Sequence, residues 1–194
     1  MARATASSTI AAPSDGRLPL VHHLHVQSSD MLAVTIRPAA AADLPALGLL
    51  GALLVRLHHA FDPARFIPAR PRAEEGYASF LASQLEERGV VVLVADRGGE
   101  VVGYSYSSIE GTDYMALRGP AGLLHDIVVD PAYRGQGVGR MLLDATLTEL
   151  KARGAPRVVL STAERNEAAQ RLFARAGFRR TMIEMTREME EVVR

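Results

Sequence analysis

The six residues Arg134-Gly135-Gln136-Gly137-Val138-Gly139 stand between a short apolar run and a long amphipathic one. Few architectures accommodate that order. Leu123 to Val129 is rich in β-branched residues and is interrupted only by His125 and Asp126, which predicts a buried strand. Asp130-Pro131 ends it, because proline cannot donate to a sheet ladder. Val138 to Arg153 carries a polar stripe at Arg140, Asp144, Thr148 and Lys151. That is helical spacing, and the apolar arc opposite is wide enough to pack on a sheet and on neighbours. Gly154 is a natural C-terminal stop. The chain must therefore contain a strand, a tight glycine turn and a helix in direct succession.

A glycine turn at a helix start exposes successive backbone N–H groups at the positive end of the helix dipole. Arg134 adds a full charge at the rim, and the combination suits a phosphate or pyrophosphate. A P-loop is excluded, since no Gly-Lys-Ser/Thr follows and Lys151 is the only lysine. A dinucleotide fingerprint read from Gly135 meets Arg140 where a small residue is required. The alternative with no ligand is a plain strand-to-helix turn whose glycines serve geometry alone. The pattern R-x-x-G-x-G does fit, at Arg134, Gly137 and Gly139, directly after Val-Asp-Pro. It resembles the pyrophosphate-binding motif of the GNAT superfamily, the acyl-CoA-dependent N-acetyltransferases.

The remaining chain is consistent with that resemblance. Leu32 to Arg37 alternates as a first strand, and Asp43 is placed to cap a helix bearing Leu47, Leu50, Leu53, Leu54 and Leu57. Gly48 and Gly51 inside it either weaken the helix or permit close packing. A proline-rich loop leads to a second helix, about 73–88, with Tyr77, Phe80, Leu81 and Leu85 on one face. Val90 to Ala95 and Val101 to Ile109 are strands joined by a glycine hairpin turn, with Tyr104 and Tyr106 on one face of the second. After the organising stretch come a strand at 157–162, a helix from Glu167 to Ala176 capped by Asn166, and a final strand at 179–187. Asn166, Ala169, Leu172-Phe173 and Gly177-Phe178 resemble the second GNAT motif, with Phe173 where the family carries a tyrosine. The resemblance covers residues 34–189.

Composition sets bounds. The formal net charge is +0, so no global field draws nucleic acid or an anionic membrane. Cysteine is absent, which removes disulfides, thiolate metal sites and a cysteine nucleophile. No uninterrupted apolar run reaches the length of a membrane span. A cytoplasmic protein with no metal, nucleic-acid or membrane partner is the expectation. Residues 1–31 lack apolar periodicity and read as a flexible extension, or as untranslated sequence ahead of a start at Met31; residues 32–190 form the expected domain.

The resemblance implies an α/β (or α+β) fold: a mixed, mostly antiparallel twisted sheet flanked by helices, with its parallel pair splayed at the cofactor site. It implies acetyl-CoA as co-substrate, an amine of a small molecule or peptide as acceptor, and direct attack in a ternary complex. Ile127, Val128 and Val129 would pair with the pantetheine arm, with an N–H near Val128 facing the thioester oxygen. Arg134, Gly135, Gln136, Gly137, Val138, Gly139 and Arg140 would hold the pyrophosphate, and Asn166 and Phe173 would flank the thiol. Asp126 would take the amine proton, with His125 as alternative or water-holder. Tyr104, Tyr106, Tyr114 and Ser161 are candidates to protonate the leaving thiolate in place of the family's tyrosine. His58, His59, Phe61, Asp62, Phe66 and Tyr114 are candidate acceptor linings. A homodimer is admitted, since family members often pair through strands or helices. The alternative function is a catalytically weak acyl-CoA-binding or sensing module of the same fold.

Overall fold

The computed structural model describes residues 33–189. The expectations for residues 1–31, including a start at Met31, lie outside them. Gly98 and Gly99 both take positive φ (63° and 93°), the geometry of a two-residue hairpin turn. They join β2 (Val90–Arg97) to β3 (Glu100–Glu110). Around this hairpin the sheet grows to β1 (Thr35–Pro38) on one side and to β4 (Ala121–Val129) and β5 (Val158–Leu160) on the other. The spatial order is β1-β2-β3-β4-β5, antiparallel except for the parallel β4–β5 pair. The helical crossover between β4 and β5 requires that pair to be parallel.

Helices cover both faces. α1 (Leu44–Phe61) and α2 (Ala73–Leu85) pack Leu47, Leu50 and Leu81 against Val92, Val94, Tyr104 and Tyr106. α3 (Val138–Ala152) packs Val138, Leu142 and Leu150 on the opposite face, against Val91, Leu93 and Val102. α4 (Glu167–Arg175) brings Phe173 onto Leu124 and Leu143. Gly48 and Gly51 prove to be contact points. A Cβ on Gly48 would lie 2.3 Å from the Glu74 carbonyl oxygen, and one on Gly51 would lie 2.0 Å from the Tyr77 ring. The two glycines let α2 approach closely enough to lay Tyr77 across α1.

Three expectations need correction. Residues 179–189 form no strand and are exposed: no ladder register includes them, and a strand without a neighbour leaves its backbone unpaired. Asp43 stands at the start of α1 but caps no helix amide. Its carboxylate accepts the Ala40 N–H (2.8 Å) and two hydrogen bonds from the Arg37 guanidinium (2.7 and 2.9 Å). α2 ends at Leu85, a turn short of Arg88. The helical stretch Ala41–Phe61 has the length and mean apolarity of a membrane span, although Asp43 and Arg56 interrupt it. Part of that apolarity serves the core: Leu47 and Leu50 are buried there, and Leu53 and Leu54 pack beside them.

Candidate active site

The site begins with an irregularity in β4. Tyr106 pairs with Asp126, but the next residue of β3, Ser107, pairs with Leu124. His125 is therefore one residue too many, and a β-bulge absorbs it. The bulge reverses the alternation of the strand. Leu124 faces the α3–α4 side and packs on Leu143 and Phe173. Val128 shares its parity, yet faces the α1–α2 side with Leu47 and Tyr104. Asp126 and His125, neighbours in sequence, both end up on the α1–α2 face: Asp126 meets Tyr77 and Tyr104, and His125 stacks on Tyr106 with ring centroids 4.7 Å apart.

The bulge also re-aims the strand. β4 and β5 pair only at Gly122–Leu124 with Val158–Leu160, so beyond Leu124 the two parallel strands separate. A cavity of about 270 Å³ fills the gap. His125, Asp126 and Ile127 form one wall, Ser161, Thr162, Asn166, Ala169 and Phe173 another, and Leu54, His58 and Phe66 lie across from them. The edge of β4 that faces the gap can be read from the ladder. The Asp130 N–H donates to the Val102 carbonyl on β3 (2.9 Å). N–H groups alternate along an antiparallel strand, so the Val128 amide also faces β3, and those of Ile127 and Val129 face the opened side. The amide aimed at the cleft is thus one residue either side of Val128.

At the C-terminal end of β4, Gly135 and Gly137 take φ of 76° and 86°, conformations that side chains disfavour. Nothing lies within 4 Å of a Cβ at either position, so backbone conformation rather than crowding requires glycine there. Residues 134–137 are exposed, and Gly137 is the N-cap of α3. The first-turn amides of α3 have no carbonyl upstream in the helix. The Arg134 Nε donates to the Val129 carbonyl (3.0 Å), which fixes the guanidinium beside the turn. Gln136 donates to the Ala132 carbonyl. Gly139 packs against α4 and β4: a Cβ there would lie 3.6 Å from Leu172 and 3.7 Å from Val129. Arg140 points elsewhere. Its side chain pairs with Asp144 (2.7 Å) and reaches the Arg175 carbonyl, and its amide is taken by the Gly137 carbonyl.

The carboxylate of Asp126 is held by two tyrosines. Its Oδ2 accepts from the Tyr77 hydroxyl at 2.5 Å and from the Tyr104 hydroxyl at 2.9 Å. Burial pushes its pKa above the ordinary carboxylate value, and the two hydroxyl bonds restrain that rise. Oδ1 has no protein partner among the described residues and is not a buried orphan, so it opens to solvent on the cavity wall. Burial lowers the pKa of His125, whose Nε2 is bonded to the Ser108 hydroxyl at 2.8 Å. Burial thus favours the uncharged form of each group, the carboxyl of Asp126 and the free imidazole of His125.

Tyr77 was read from sequence only as part of a helix face. Its link to Asp126 spans 49 residues, and no local pattern announces it. Of the candidate thiolate acids, Tyr104 is committed to Asp126, Tyr106 donates to Gln84 (2.9 Å), and Tyr114 is 83% exposed on the loop before β4. Ser161 remains on the cavity wall. His58 and Phe66 line the cavity; His59 bonds the Phe66 carbonyl, and Asp62 accepts the amides of Ala64 and Arg65. Asn166 caps α4 through the Ala169 amide (3.2 Å), and Phe173, largely buried, forms part of the cavity wall.

A splayed parallel pair beside a glycine turn defines the GNAT architecture, and comparison with known proteins agrees. Residues 54–178 match the acetyltransferase (GNAT) family, and the chain belongs to it. It is 38% identical over 96 residues to the mycothiol acetyltransferase of Thermobispora bispora, an alignment covering 47% of this chain and 31% of that protein. It is 28% identical over 172 residues to the mycothiol acetyltransferase of Propionibacterium freudenreichii, covering 86% of this chain and 46% of the relative. The chain thus spans less than half the length of these curated relatives. Among solved structures, the tetramutant of the BH1408 protein from Bacillus halodurans superposes with a TM-score of 0.70 at 22% identity, over 80% of this chain and 99% of that one. The aminoglycoside N-acetyltransferase AAC(6')-Iy in complex with CoA gives 0.60 at 20% identity, over 81% and 95%. These two likenesses concern the fold.

Proposed function

We propose that this chain transfers an acetyl group from acetyl-CoA to a primary amine by direct attack within a ternary complex. One observation carries the reading: the bulge in β4 opens a cleft with the half-buried Asp126 on its wall, on the strand that leads directly into the glycine turn. The co-substrate brings a thioester carbonyl and a thiolate leaving group. The amides of the glycine turn, exposed at 135–137, with Arg134, suit its diphosphate. The edge amides of Ile127 and Val129 suit an extended pantetheine arm and the thioester oxygen.

An alkylamine has a pKa of about 10.4, so at neutral pH only a few molecules in ten thousand are ready to attack. A base at the point of attack removes that limit. Asp126 Oδ1 serves as that base, with His125 beside it as the alternative or as the group that holds an intervening water. The amine nitrogen forms a bond to the acyl carbon, the carbon–sulfur bond breaks, the amine proton passes to the carboxylate, and the electron pair leaves on sulfur. A thiol is acidic enough to depart as thiolate, with a pKa of about 8.5. That fits Phe173, which cannot donate a proton, and leaves Ser161 as the candidate hydroxyl on the cavity wall for any assistance.

Phe173 also favours a second reading, an acyl-CoA-binding module with weak turnover. Release of CoA thiol over a panel of amines separates the two. Turnover that Asp126→Asn abolishes supports the enzyme; tight acetyl-CoA binding in calorimetry without thiol release from any amine supports the module.

A further inference from the structure

Next to the active cleft lies a second cavity, of about 300 Å³. Val55 and Ile67 line both, so the two are adjacent and share a wall. The second is walled by Pro68 on the loop between α1 and α2 and by Tyr77 and Phe80 on α2, with Arg70 at its rim. Tyr77 is the partition: its ring faces the second cavity and its hydroxyl holds Asp126 in the first. The aromatic contacts run on from there. Phe80 meets Tyr77 edge-on at 6.1 Å and Tyr106 at 5.6 Å, and Tyr106 stacks on His125.

We propose that this second cavity holds the body of the acceptor, and that the acceptor is a monoamine carried on an aryl or branched-alkyl body with no second positive charge. The inference rests on the acetyl-transfer reading and adds the substrate class to it. An amine at Asp126 whose body runs along the shared Val55–Ile67 wall enters this apolar space. Ile67 and Phe80 are 71% and 45% exposed, apolar area that an apolar body would cover. A sugar-like body would lose its water hydrogen bonds there and find few replacements, because the Tyr77 hydroxyl is already committed. A polyamine fares worse: the second cavity has no carboxylate among its lining residues, and its one charged side chain is the cation Arg70.

The test uses the full chain with acetyl-CoA and four amines: 2-phenylethylamine, 3-methylbutylamine, glucosamine and kanamycin. The first two should show kcat/KM at least about tenfold above the last two. Phe80→Asp, at a half-exposed position outside the first cavity, should lower kcat/KM for 2-phenylethylamine about tenfold, mostly through KM, while acetyl-CoA affinity is retained. Arg70→Glu should raise relative activity on kanamycin. Equal or better turnover of glucosamine or kanamycin by the unaltered protein overturns the proposal, as does indifference of 2-phenylethylamine kinetics to Phe80→Asp. Should no amine release thiol, the acetyl-transfer reading fails by itself. Calorimetry with 2-phenylethylamine then still decides the cavity: binding weakened by Phe80→Asp upholds the ligand class, and no binding overturns it.

Discussion

The two faces of β4 recognise in different currencies. Toward the α3 side and the opened edge, the molecule offers backbone: the amides of Ile127 and Val129 and the bare turn at 135–139. Toward the α1–α2 side it offers side chains: Asp126, His125, Tyr77 and Tyr104, drawn from two strands and a helix far apart in sequence. Backbone recognition depends on where glycines stand, a local property. Side-chain recognition depends on which distant surfaces the fold brings together. On the proposed acetyl transfer, the first half would bind the constant co-substrate and the second half would set the chemistry and the acceptor.

Substitutions at Asp126 should separate the halves most sharply. Asp126→Asn keeps the shape and an acceptor for the tyrosine hydroxyls but loses the base. We expect kcat to fall by about 100-fold or more, with acetyl-CoA affinity unchanged in calorimetry. A wild-type rate with the best amine would move the proton transfer to His125, and His125→Ala would then carry the loss.

On the backbone half, Gly137→Val forces a β-branched residue into positive φ, a cost of about 1–2 kcal/mol with no clash to relieve. The turn should relax away from the geometry that aims its amides. Acetyl-CoA Kd should rise about tenfold while KM for the amine stays put. Equal loss of both would mean that the halves are coupled rather than separate.

Tyr77→Phe probes the link between them. The Tyr77 hydroxyl lowers the pKa of Asp126, against the rise due to burial. Without it the carboxyl holds its proton to higher pH, so the acid limb of the kcat–pH profile should move upward, with little change on the alkaline side. Gly51→Ala should push in the same direction by displacing the ring, because its Cβ would lie 2.0 Å from Tyr77. It should also cost about 1–3 kcal/mol of stability from overpacking, read as a lowered Tm. An unmoved acid limb in both variants would show that Tyr77 does not tune the base.

What the sequence disclosed follows the same division. The glycine turn was legible because positive φ at Gly135 and Gly137 ahead of a helix fixes residue types at short spacing. The strand–turn–helix around them, the hairpin at Gly98-Gly99 and the β order followed from periodicity. The bulge was not legible as such, although Leu124 and Val128 share a parity and a single polar pair, His125-Asp126, interrupts them. Only the partner register on β3 shows that alternation reverses there. Tyr77 was hidden because its role needs Gly51 to admit its ring and Asp126 to receive its hydroxyl. The strand expected at 179–187 failed for the opposite reason: its local pattern suits a strand, but pairing is a property of the neighbour.

The smallest expected effect contrasts two acids, one in the scaffold and one in the site. Asp43 is 7% exposed, and the Arg37 guanidinium holds its pKa below the ordinary carboxylate value. Its stabilisation is present above about pH 3.9 and is lost as pH falls through the lower folded value. Asp126 has the opposite sign. Burial raises its folded pKa, so the folded state favours the protonated form, and stability declines as pH rises from the ordinary value through the raised one. At neutral pH, Asp43→Asn should therefore lower stability by about 2 kcal/mol through lost charge-assisted bonds, without changing kcat. Asp126→Asn should raise stability by about 1 kcal/mol while destroying activity, the trade expected where a fold tolerates a destabilising group for its chemistry. Denaturant titrations of both variants at pH 7 and pH 4 settle the comparison. If Asp126→Asn destabilises at pH 7 as Asp43→Asn does, Asp126 is a structural carboxylate, and the case for it as the base is lost.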